Sequence, residues 1–292
     1  ARLDEVAAWL AGWQRTCRPA VRRPACAVFV ADHGVAGRGV SAYPASVTAE
    51  MLRALAQGKA TAAVLAGQVG AHLEVVDVGV GRPTADLATG PALDDQRFDE
   101  CWAAGVDAVA GLDADLLVLG EMGIGNSTAA AAVAAALYGG APGQWVGRGT
   151  GVDEAGLARK REAVSAAAER AAGLAPLEIL RHCGGAELVA MAGAALEARR
   201  RSLPVVLDGF VATAAIAPLE AARPGALDHC IAGHRSPEPG HGRLLDRLGK
   251  EPLLDLNLRL GEGSGALLAV PLVRMAAAAV VDVATFEEWG FA

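Results

Sequence analysis

The chain has 292 residues, of which 53% are hydrophobic, 20% charged and only 4% aromatic. This composition excludes a disordered chain, and the length suffices for a large α/β unit with a buried core. The net charge is −7 and no basic stripe is visible, which disfavours nucleic acid as a partner. A small anionic substrate remains compatible with this charge, because a local site can be basic in an acidic protein.

The five cysteines are odd in number, widely spaced and without a CxxC pair. They predict free thiols in a reducing compartment, with neither a disulfide framework nor a zinc site. No signal-peptide pattern opens the chain, and Pro271 and Arg274 interrupt the apolar run 266–281. We therefore expect a cytoplasmic protein without a membrane span, in which 266–281 is a buried core helix.

Short apolar runs rich in β-branched residues alternate with helical patterns along the chain. This alternation predicts an α/β fold in which helices cover both faces of a parallel sheet. Strands are predicted at 26–31, 73–78, 115–119, 204–207 and 228–232. Helices are predicted at 1–11, 48–69, 96–112, 128–137, 153–173, 176–181 and 187–200.

Glycine and polar residues follow every predicted strand. In open parallel sheets, ligands bind in the crevice beyond the carboxyl ends of the strands. The motifs therefore fall on one rim of the sheet, and their convergence is more informative than any one of them.

The segment 120–128, GEMGIGNST, follows a predicted strand and opens an alanine-rich helix. The unsatisfied N–H groups and the dipole of a helix start favour an anion, and glycines let a phosphate come close. Gly123, Gly125, Asn126 and Ser127 are the candidate contacts. The alternative is a plain N-cap turn that uses Asn126 or Ser127.

A second glycine-rich turn, 147–153, precedes the helix that carries Lys160. It predicts either a loop in which Asp153 caps that helix, or a contribution from Gly149, Thr150 and Lys160 to the same phosphate or ribose.

The pentapeptide 261–265, GEGSG, places one carboxylate among three glycines and between two apolar runs. A carboxylate held in such a turn is a candidate proton acceptor with a raised pKa. The alternative is a tight turn whose Glu262 is solvated.

Three histidines lie near predicted strand ends, and each favours a structural interpretation. His33 is expected to be a hydrogen-bonded structural residue, whereas the nearby Ser41 and Tyr43 are candidates for lining an aromatic-ligand pocket. The segment 233–241 contains two histidines and a glutamate without HExxH spacing, so structural hydrogen bonds are favoured over a metal site. Glu187 is expected in the first turn of a helix.

Taken together, these motifs resemble the nicotinate-nucleotide–dimethylbenzimidazole phosphoribosyltransferase family. They occur in family order from residue 26 to the C-terminus, which covers most of the chain. The matching segments are 32–35, 39–44 with 47–48, 120–128, 147–153 with 159–160, 184–187, 207–210, 233–236 with 238 and 240–241, and 254–256 continuing into 259–266.

The resemblance implies a Rossmann-like, doubly wound and mostly parallel sheet domain over 25–240. It also implies a small helical lobe from 1–24 and 241–292, a cytoplasmic homodimer, and no metal or cofactor. By analogy, Glu262 is the general base, Glu121 a second active-site acid, and Gly123 and Lys160 part of the nucleotide phosphate site. The other predicted substrate-binding positions are Ser41, Tyr43, Gly125, Asn126, Ser127, Gly149, Thr150, Asp208 and Gly263.

The implied reaction transfers the 5-phosphoribosyl group of nicotinate mononucleotide to 5,6-dimethylbenzimidazole, with inversion at C1′. The products are α-ribazole 5′-phosphate and nicotinate. The chain departs from the family pattern before its first helix and in the short loop after Gly79, which lacks an Arg-x-Gly-Thr sequence. Two alternatives therefore stay open: a catalytically silent relative that binds a nucleotide or base, and transfer to another base.

Overall fold

A six-stranded parallel sheet organises the chain, whose residues 2–291 are described by a computed structural model. Its strands are β1 (Pro24–Ala31), β2 (His72–Gly79), β3 (Leu116–Met122), β4 (Val205–Leu207), β5 (Cys230–His234) and β6 (Pro252–Leu254). They lie in the order β2-β1-β3-β4-β5-β6, and every pairing is parallel. This arrangement confirms the predicted α/β class, with a doubly wound sheet whose strand order reverses between β1 and β3.

Helices cover both faces of this sheet. They are α1 (Arg2–Gln14), α2 (Val47–Ala56), α3 (Thr61–Val69), α4 (Asp95–Ala110), α5 (Asn126–Tyr138), α6 (Glu154–Arg170), α7 (Pro176–Cys183), α8 (Ala186–Arg200), α9 (Phe210–Ala222), α10 (Pro239–Leu248) and α11 (Ser264–Val281). Short 3-10 helices occupy Gly34–Arg38 and Pro142–Gln144. The first residue of the helix predicted at 1–11 lies outside the described residues.

The core has two layers, one on each face of the sheet, because successive side chains of a strand point to opposite faces. In β1, Ala27 and Phe29 join the layer formed with α4, α5, α8 and α9. Val28 and Val30 join the layer formed with α1, α3 and α11. The central strand is therefore buried on both sides, which explains its continuous apolar sequence.

The prediction of one continuous helix over 48–69 is wrong, because two helices occupy that range. α2 ends at Ala56, Gly58 adopts a φ of +73°, and α3 begins at Thr61. A residue in the left-handed region ends a helix, and glycine takes this conformation without steric cost. The break gives α3 a start of its own, where the N–H of Ala62 contacts Glu262.

Two helices, α9 and α10, and the strand β6 were not predicted. α9 is buried on nearly all sides, so it has no polar stripe, and it contains Pro218. α10 opens with Pro-Gly-His-Gly, which is typical of a loop. β6 has only three residues and lies at the sheet edge.

The two ends of the chain meet where α1 packs against α11. Among residues 2–291, α11 is the one helix whose length and apolar composition would suffice to cross a membrane. Half of it is buried in the fold, against α1, α3 and the sheet, as expected of a core helix. The division into a domain over 25–240 and a lobe from 1–24 and 241–292 stays a prediction. β6 lies within 241–292 and extends the sheet at its edge.

Candidate active site

A cavity of about 700 Å³ opens at the carboxyl ends of the central strands, beside the point where the strand order reverses. This is the place at which open α/β sheets bind ligands. The predicted site residues that line it are Ser41, Tyr43, Glu121, Gly123, Gly125, Asn126, Ser127, Gly149, Thr150, Lys160, Asp208 and Glu262. The structure therefore brings together segments that are far apart in the sequence.

Gly263 lies behind the cavity wall, where it is the N-cap residue of α11. Its N–H donates to Oδ2 of Asp208 at 3.2 Å, and the N–H of Ala266 donates to Oδ1 at 3.0 Å. Asp208 directly follows β4 and caps α11 from there. The N-cap residue itself cannot do so, because glycine has no side chain. Asp208 fixes the backbone immediately after Glu262.

Asp208 stays ionised in this arrangement. Nε2 of His234 lies 3.3 Å from its Oδ1. Burial alone would raise the pKa of Asp208, but His234 and the two N–H groups of α11 outweigh burial and lower this pKa. The carboxylate therefore places a negative charge beside Glu121 and Glu262.

Glu262 has a backbone conformation that few side chains adopt. Its φ is +62°, between Gly261 at +89° and Gly263 at +83°. A non-glycine residue in this region costs about 1–3 kcal/mol and persists only where the surrounding structure imposes it, often at functional sites. The flanking glycines accept the same turn without this cost, which accounts for their position in the sequence.

The side chain of Glu262 lines the cavity, although the residue is only 3% exposed. Burial raises the pKa of Glu262, the N–H of Ala62 counteracts part of this effect, and the charge of Asp208 adds to it. A carboxylate with a raised pKa is a stronger base than a solvated one. The alternative of a solvated turn glutamate is therefore wrong.

Glu121 is the last residue but one of β3 and lies next to the Glu262 loop, since the N–H of Glu262 donates to its carbonyl at 3.1 Å. Its Oε2 accepts a hydrogen bond from Nδ2 of Asn126. Burial, and then the charges of Asp208 and Glu187, raise the pKa of Glu121 well above its ordinary value. The site thus holds two buried carboxyl groups that both bind protons more tightly than solvated ones.

The site also has a cationic part. Lys160 is only 1% exposed, and its Nζ donates to Oγ of Ser127 at 3.0 Å and to the carbonyl of Gly147 at 2.9 Å. Burial lowers the pKa of Lys160, whereas the charge of Glu238 raises it in part. An ammonium group with a hydrogen still free to donate, beside the start of α5, favours an anion.

The N-cap interpretation of 120–128 fails, because neither candidate side chain caps α5. Asn126 is the first residue of the helix and bonds to Glu121, while Ser127 accepts from Lys160. Both side chains connect parts of the cavity wall instead. The phosphate interpretation of this loop stays a prediction.

In the second glycine-rich turn, Asp153 caps α6 by accepting from the N–H of Gly156 at 2.7 Å, as the capping interpretation predicted. The same turn also reaches the cavity through Gly149 and Thr150. The N–H of Gly149 donates to Oε1 of Glu238 at 2.9 Å, which ties the turn to the segment after β5. The two interpretations of this turn are therefore compatible.

The segment 233–241 forms the structural hydrogen bonds that its sequence favoured. Nδ1 of His241 accepts from the N–H of Ser236 at 2.9 Å, and Nε2 lies 3.2 Å from Oγ1 of Thr213.

Three residues of this segment line the cavity but were not predicted as site residues, namely His234, Ser236 and Glu238. Their position after β5, on the motif-bearing rim, was the available signal. Within residues 2–291, no group of three or more His, Cys, Asp or Glu side chains has the arrangement of a metal site.

The mouth of the cavity is partly apolar. Tyr43 is 51% exposed there, and its N–H donates to Oγ of Ser41 at 3.2 Å. Met51, Leu258 and Leu260 also line this part and were not predicted, and the neighbouring Asn257 and Arg259 add polar groups to the lining. Such a lining suits a flat aromatic group beside the carboxyl pair.

The site lies at the carboxyl ends of parallel strands and combines a buried carboxyl pair with a buried lysine, an arrangement typical of enzymes that act on small molecules. A family model described as "Phosphoribosyltransferase" matches residues 1–290. The chain belongs to this family, whose curated members similar to it carry the name nicotinate-nucleotide–dimethylbenzimidazole phosphoribosyltransferase. It is a phosphoribosyltransferase, as its sequence motifs predicted.

Individual relatives are similar over the whole chain. The protein of that name from Novosphingobium aromaticivorans is 52% identical over 293 residues, which cover 100% of this chain and 86% of the relative. The one from Jannaschia sp. is 52% identical, with 99% of this chain and 86% of the relative covered. The crystal structure of CobT from Thermus thermophilus superposes with a TM-score of 0.95 at 46% identity, covering 99% of this chain and 92% of that one.

Proposed function

We propose that this chain transfers the 5-phosphoribosyl group of nicotinate mononucleotide to 5,6-dimethylbenzimidazole, forming α-ribazole 5′-phosphate and releasing nicotinate. One observation carries the proposal: a single cavity is lined both by a buried base candidate, Glu262, and by a buried cation, Lys160. The names of the relatives, at about half identity over the full chain, support the same reaction.

In the proposed complex, the phosphate of the nucleotide lies at Lys160, Ser127 and the start of α5. The dimethylbenzimidazole ring occupies the partly apolar mouth near Tyr43 and Met51. Positive charge then meets the phosphate, and apolar surface meets the aromatic ring, so each substrate faces the part of the cavity that suits its chemistry.

The proposed step is a displacement at C1′ of the ribose. A ring nitrogen of dimethylbenzimidazole forms the new bond to C1′ while the bond from C1′ to the pyridinium nitrogen of nicotinate breaks. Attack occurs opposite the leaving group, so the β-nucleotide gives an α-riboside. The bonding electrons neutralise the pyridinium, and nicotinate therefore leaves without a general acid.

Glu262 accepts the proton that the other ring nitrogen of dimethylbenzimidazole loses. A positioned general base contributes about 10²–10⁴-fold, or about 3–5 kcal/mol of the barrier. The negative charge of Asp208 and Glu262 also favours positive charge that develops on the ribose, as carboxylates do in glycoside cleavage. Glu121 is the second acid, and in its protonated form it offers a hydrogen-bond donor to the bound base.

The test is an assay of the purified chain with nicotinate mononucleotide and dimethylbenzimidazole, in which both products are measured. We expect free nicotinate and α-ribazole 5′-phosphate in equal amounts, with inverted configuration at C1′. Binding without turnover would instead identify a catalytically silent relative. Turnover only with adenine or a phenol in a matched panel would identify another acceptor.

We propose in addition that the chain is a cytoplasmic homodimer, as its resemblance to the family implies. Phe286, Trp289 and Phe291 are exposed and contact one another edge to face near the C-terminus. Monomeric proteins seldom expose large contiguous apolar surface without a partner. Light scattering should give twice the chain mass of 29.6 kDa; the mass of one chain at micromolar concentration would contradict the dimer.

A further inference from the structure

Two side chains that the proposed reaction does not use form a buried pair beneath the site. Nε2 of His33 lies 2.6 Å from Oε1 of Glu187, and neither side chain has any exposed surface. His33 lies two residues after the end of β1, and Glu187 lies in the first turn of α8, 154 positions later. Within the described part of the chain, Nδ1 of His33 and Oε2 of Glu187 have no hydrogen-bond partner.

The imidazole ring of His33 supports the loop between β3 and α5. A Cβ atom at Gly123 would lie 3.1 Å from the ring and 2.7 Å from the carbonyl oxygen of Ala31. On the far side, a Cβ atom at Gly185 would lie 2.7 Å from Oε2 of Glu187 and closer still to the ring. Backbone without side chains therefore encloses the pair from the loop and from the start of α8.

Stability alone gives a poor account of this pair. A buried charged or polar pair seldom stabilises a fold more than well-packed apolar side chains of similar volume. This pair also leaves two buried polar atoms without partners, which is costly. The position of this costly interaction beside the site points to the geometry that it imposes there.

The loop that His33 supports leads into two residues that contact the carboxyl part and the cationic part of the proposed site. Immediately after Gly123 and Gly125, Asn126 donates to Glu121 and Ser127 accepts from Lys160. A shift of this backbone by a fraction of an ångström would therefore disturb the carboxyl part and the cationic part together. Misplacement of about 1 Å in a site costs roughly 10²-fold in rate.

We propose that His33 and Glu187 are positioning residues, which hold the loop 123–127 so that Asn126 meets Glu121 and Ser127 meets Lys160. Neither touches the substrate. The proposal rests on the proposed function for its kinetic consequences, whereas the order it imposes on the loop is independent of any substrate.

The test compares His33→Ala and His33→Gln with a matched control, His229→Gln. His229 is also fully buried and bonds through Nε2 to the carbonyl of Ala195 at 2.9 Å, but it precedes β5 on the opposite rim. We expect His33→Ala to raise the KM for nicotinate mononucleotide and to lower kcat/KM by roughly 10–100-fold. His33→Gln, which can still reach Glu187, should recover part of this loss, and the control should stay within about twofold of the unmutated protein.

A measurement without substrate separates this proposal from the proposed function. Hydrogen exchange of the amides at 123–128 should become faster in His33→Ala and stay unchanged in His229→Gln. If the unmutated chain lacks turnover, the proposed function fails, and this exchange experiment still decides whether the pair orders the loop.

If His33→Ala does not fold, Glu187→Gln provides the decisive variant, because it keeps the shape and removes the charge. Faster exchange at 123–128 together with a raised KM would support the proposal. A folded His33→Ala or Glu187→Gln protein with unchanged exchange and unchanged KM would overturn it, since the pair would then serve stability only.

Discussion

The N–H of Ala62, in the first turn of α3, donates a hydrogen bond of 3.1 Å to Oε2 of Glu262. The candidate base is therefore held by the start of a helix that exists because the chain breaks at Gly58. This contact occupies one carboxylate oxygen and leaves Oε1 for the substrate proton. It also counteracts part of the effect of burial on the pKa of Glu262, which still lies above its ordinary value.

Replacing Asp208 by Asn should shift the pH profile of kcat/KM. The charge of Asp208 raises the pKa of Glu262, and the base works only when ionised, that is, above its pKa. Loss of this charge lowers the pKa, so the rising acidic limb should move to lower pH. The plateau should also fall, because Gly263 and Ala266 lose a carboxylate acceptor.

Asp94→Asn is the matched control, since Asp94 is exposed and caps α4 far from the cavity by accepting from the N–H of Arg97. Asn and Asp are equally good N-caps, so this variant should keep the profile of the unmutated protein. A limb that stays in place or moves to higher pH in Asp208→Asn would show that Asp208 does not set the basicity of the site.

Glu121→Gln should stabilise the fold at neutral pH and have little effect near pH 4. The raised pKa of Glu121 means that the folded state retains a proton that the unfolded chain has released. The free energy of unfolding of the unmutated protein therefore falls as pH rises from the ordinary carboxyl pKa towards the raised one. Each unit between the two is worth about 1.4 kcal/mol.

Urea titrations at several pH values measure this difference directly. The stability gain of Glu121→Gln should grow with pH over that window and then level off. A gain independent of pH, or a loss that grows with pH, would mean that Glu121 is ionised in the folded state over the whole range.

Lys160→Met should weaken nucleotide binding with a smaller effect on the chemical step. A hydrogen bond to a charged group contributes about 1.5–3 kcal/mol, so the KM for nicotinate mononucleotide should rise about 10–100-fold. Because burial lowers the pKa of Lys160, binding to the unmutated protein should also weaken as pH rises through that pKa. This alkaline dependence should disappear in the variant.

Lys250→Met is the corresponding control. Nζ of Lys250 also donates to two backbone carbonyls, those of Leu227 and Cys230, but on the opposite rim of the sheet. It should lose stability comparably and keep its KM. An equal rise in KM in both variants would remove Lys160 from the phosphate site.

The sheet could be predicted from sequence because its strands are buried on both faces. Runs such as 26–31 and 115–119 are apolar throughout, and their order with the helices leaves few parallel arrangements. α9 was not predicted, because a helix that is buried on nearly all sides has no alternation of apolar and polar residues with the helical period. The break at Gly58 was missed because a helix pattern continues on both sides of it.

The candidate site was predictable where side chains carry the signal. Glu262, Glu121 and Lys160 stand in glycine-rich motifs or shortly after one, and they share one cavity. Ala62 acts through its backbone N–H, which leaves no mark in the sequence. The contact of His33 with Glu187 joins two motifs that gave no reason to be paired until the fold placed them together.

The most direct test of the account is a comparison of Glu262→Gln with the unmutated protein, in which product formation and nucleotide binding are measured on the same samples. Glu197→Gln is the control, because it alters another buried glutamate that pairs with Arg200 at the far end of α8. We predict that Glu262→Gln loses about 10²–10⁴-fold in kcat while its Kd for nicotinate mononucleotide stays unchanged. A folded Glu262→Gln protein that turns over at the rate of the Glu197→Gln control would contradict the assignment of Glu262 as the base.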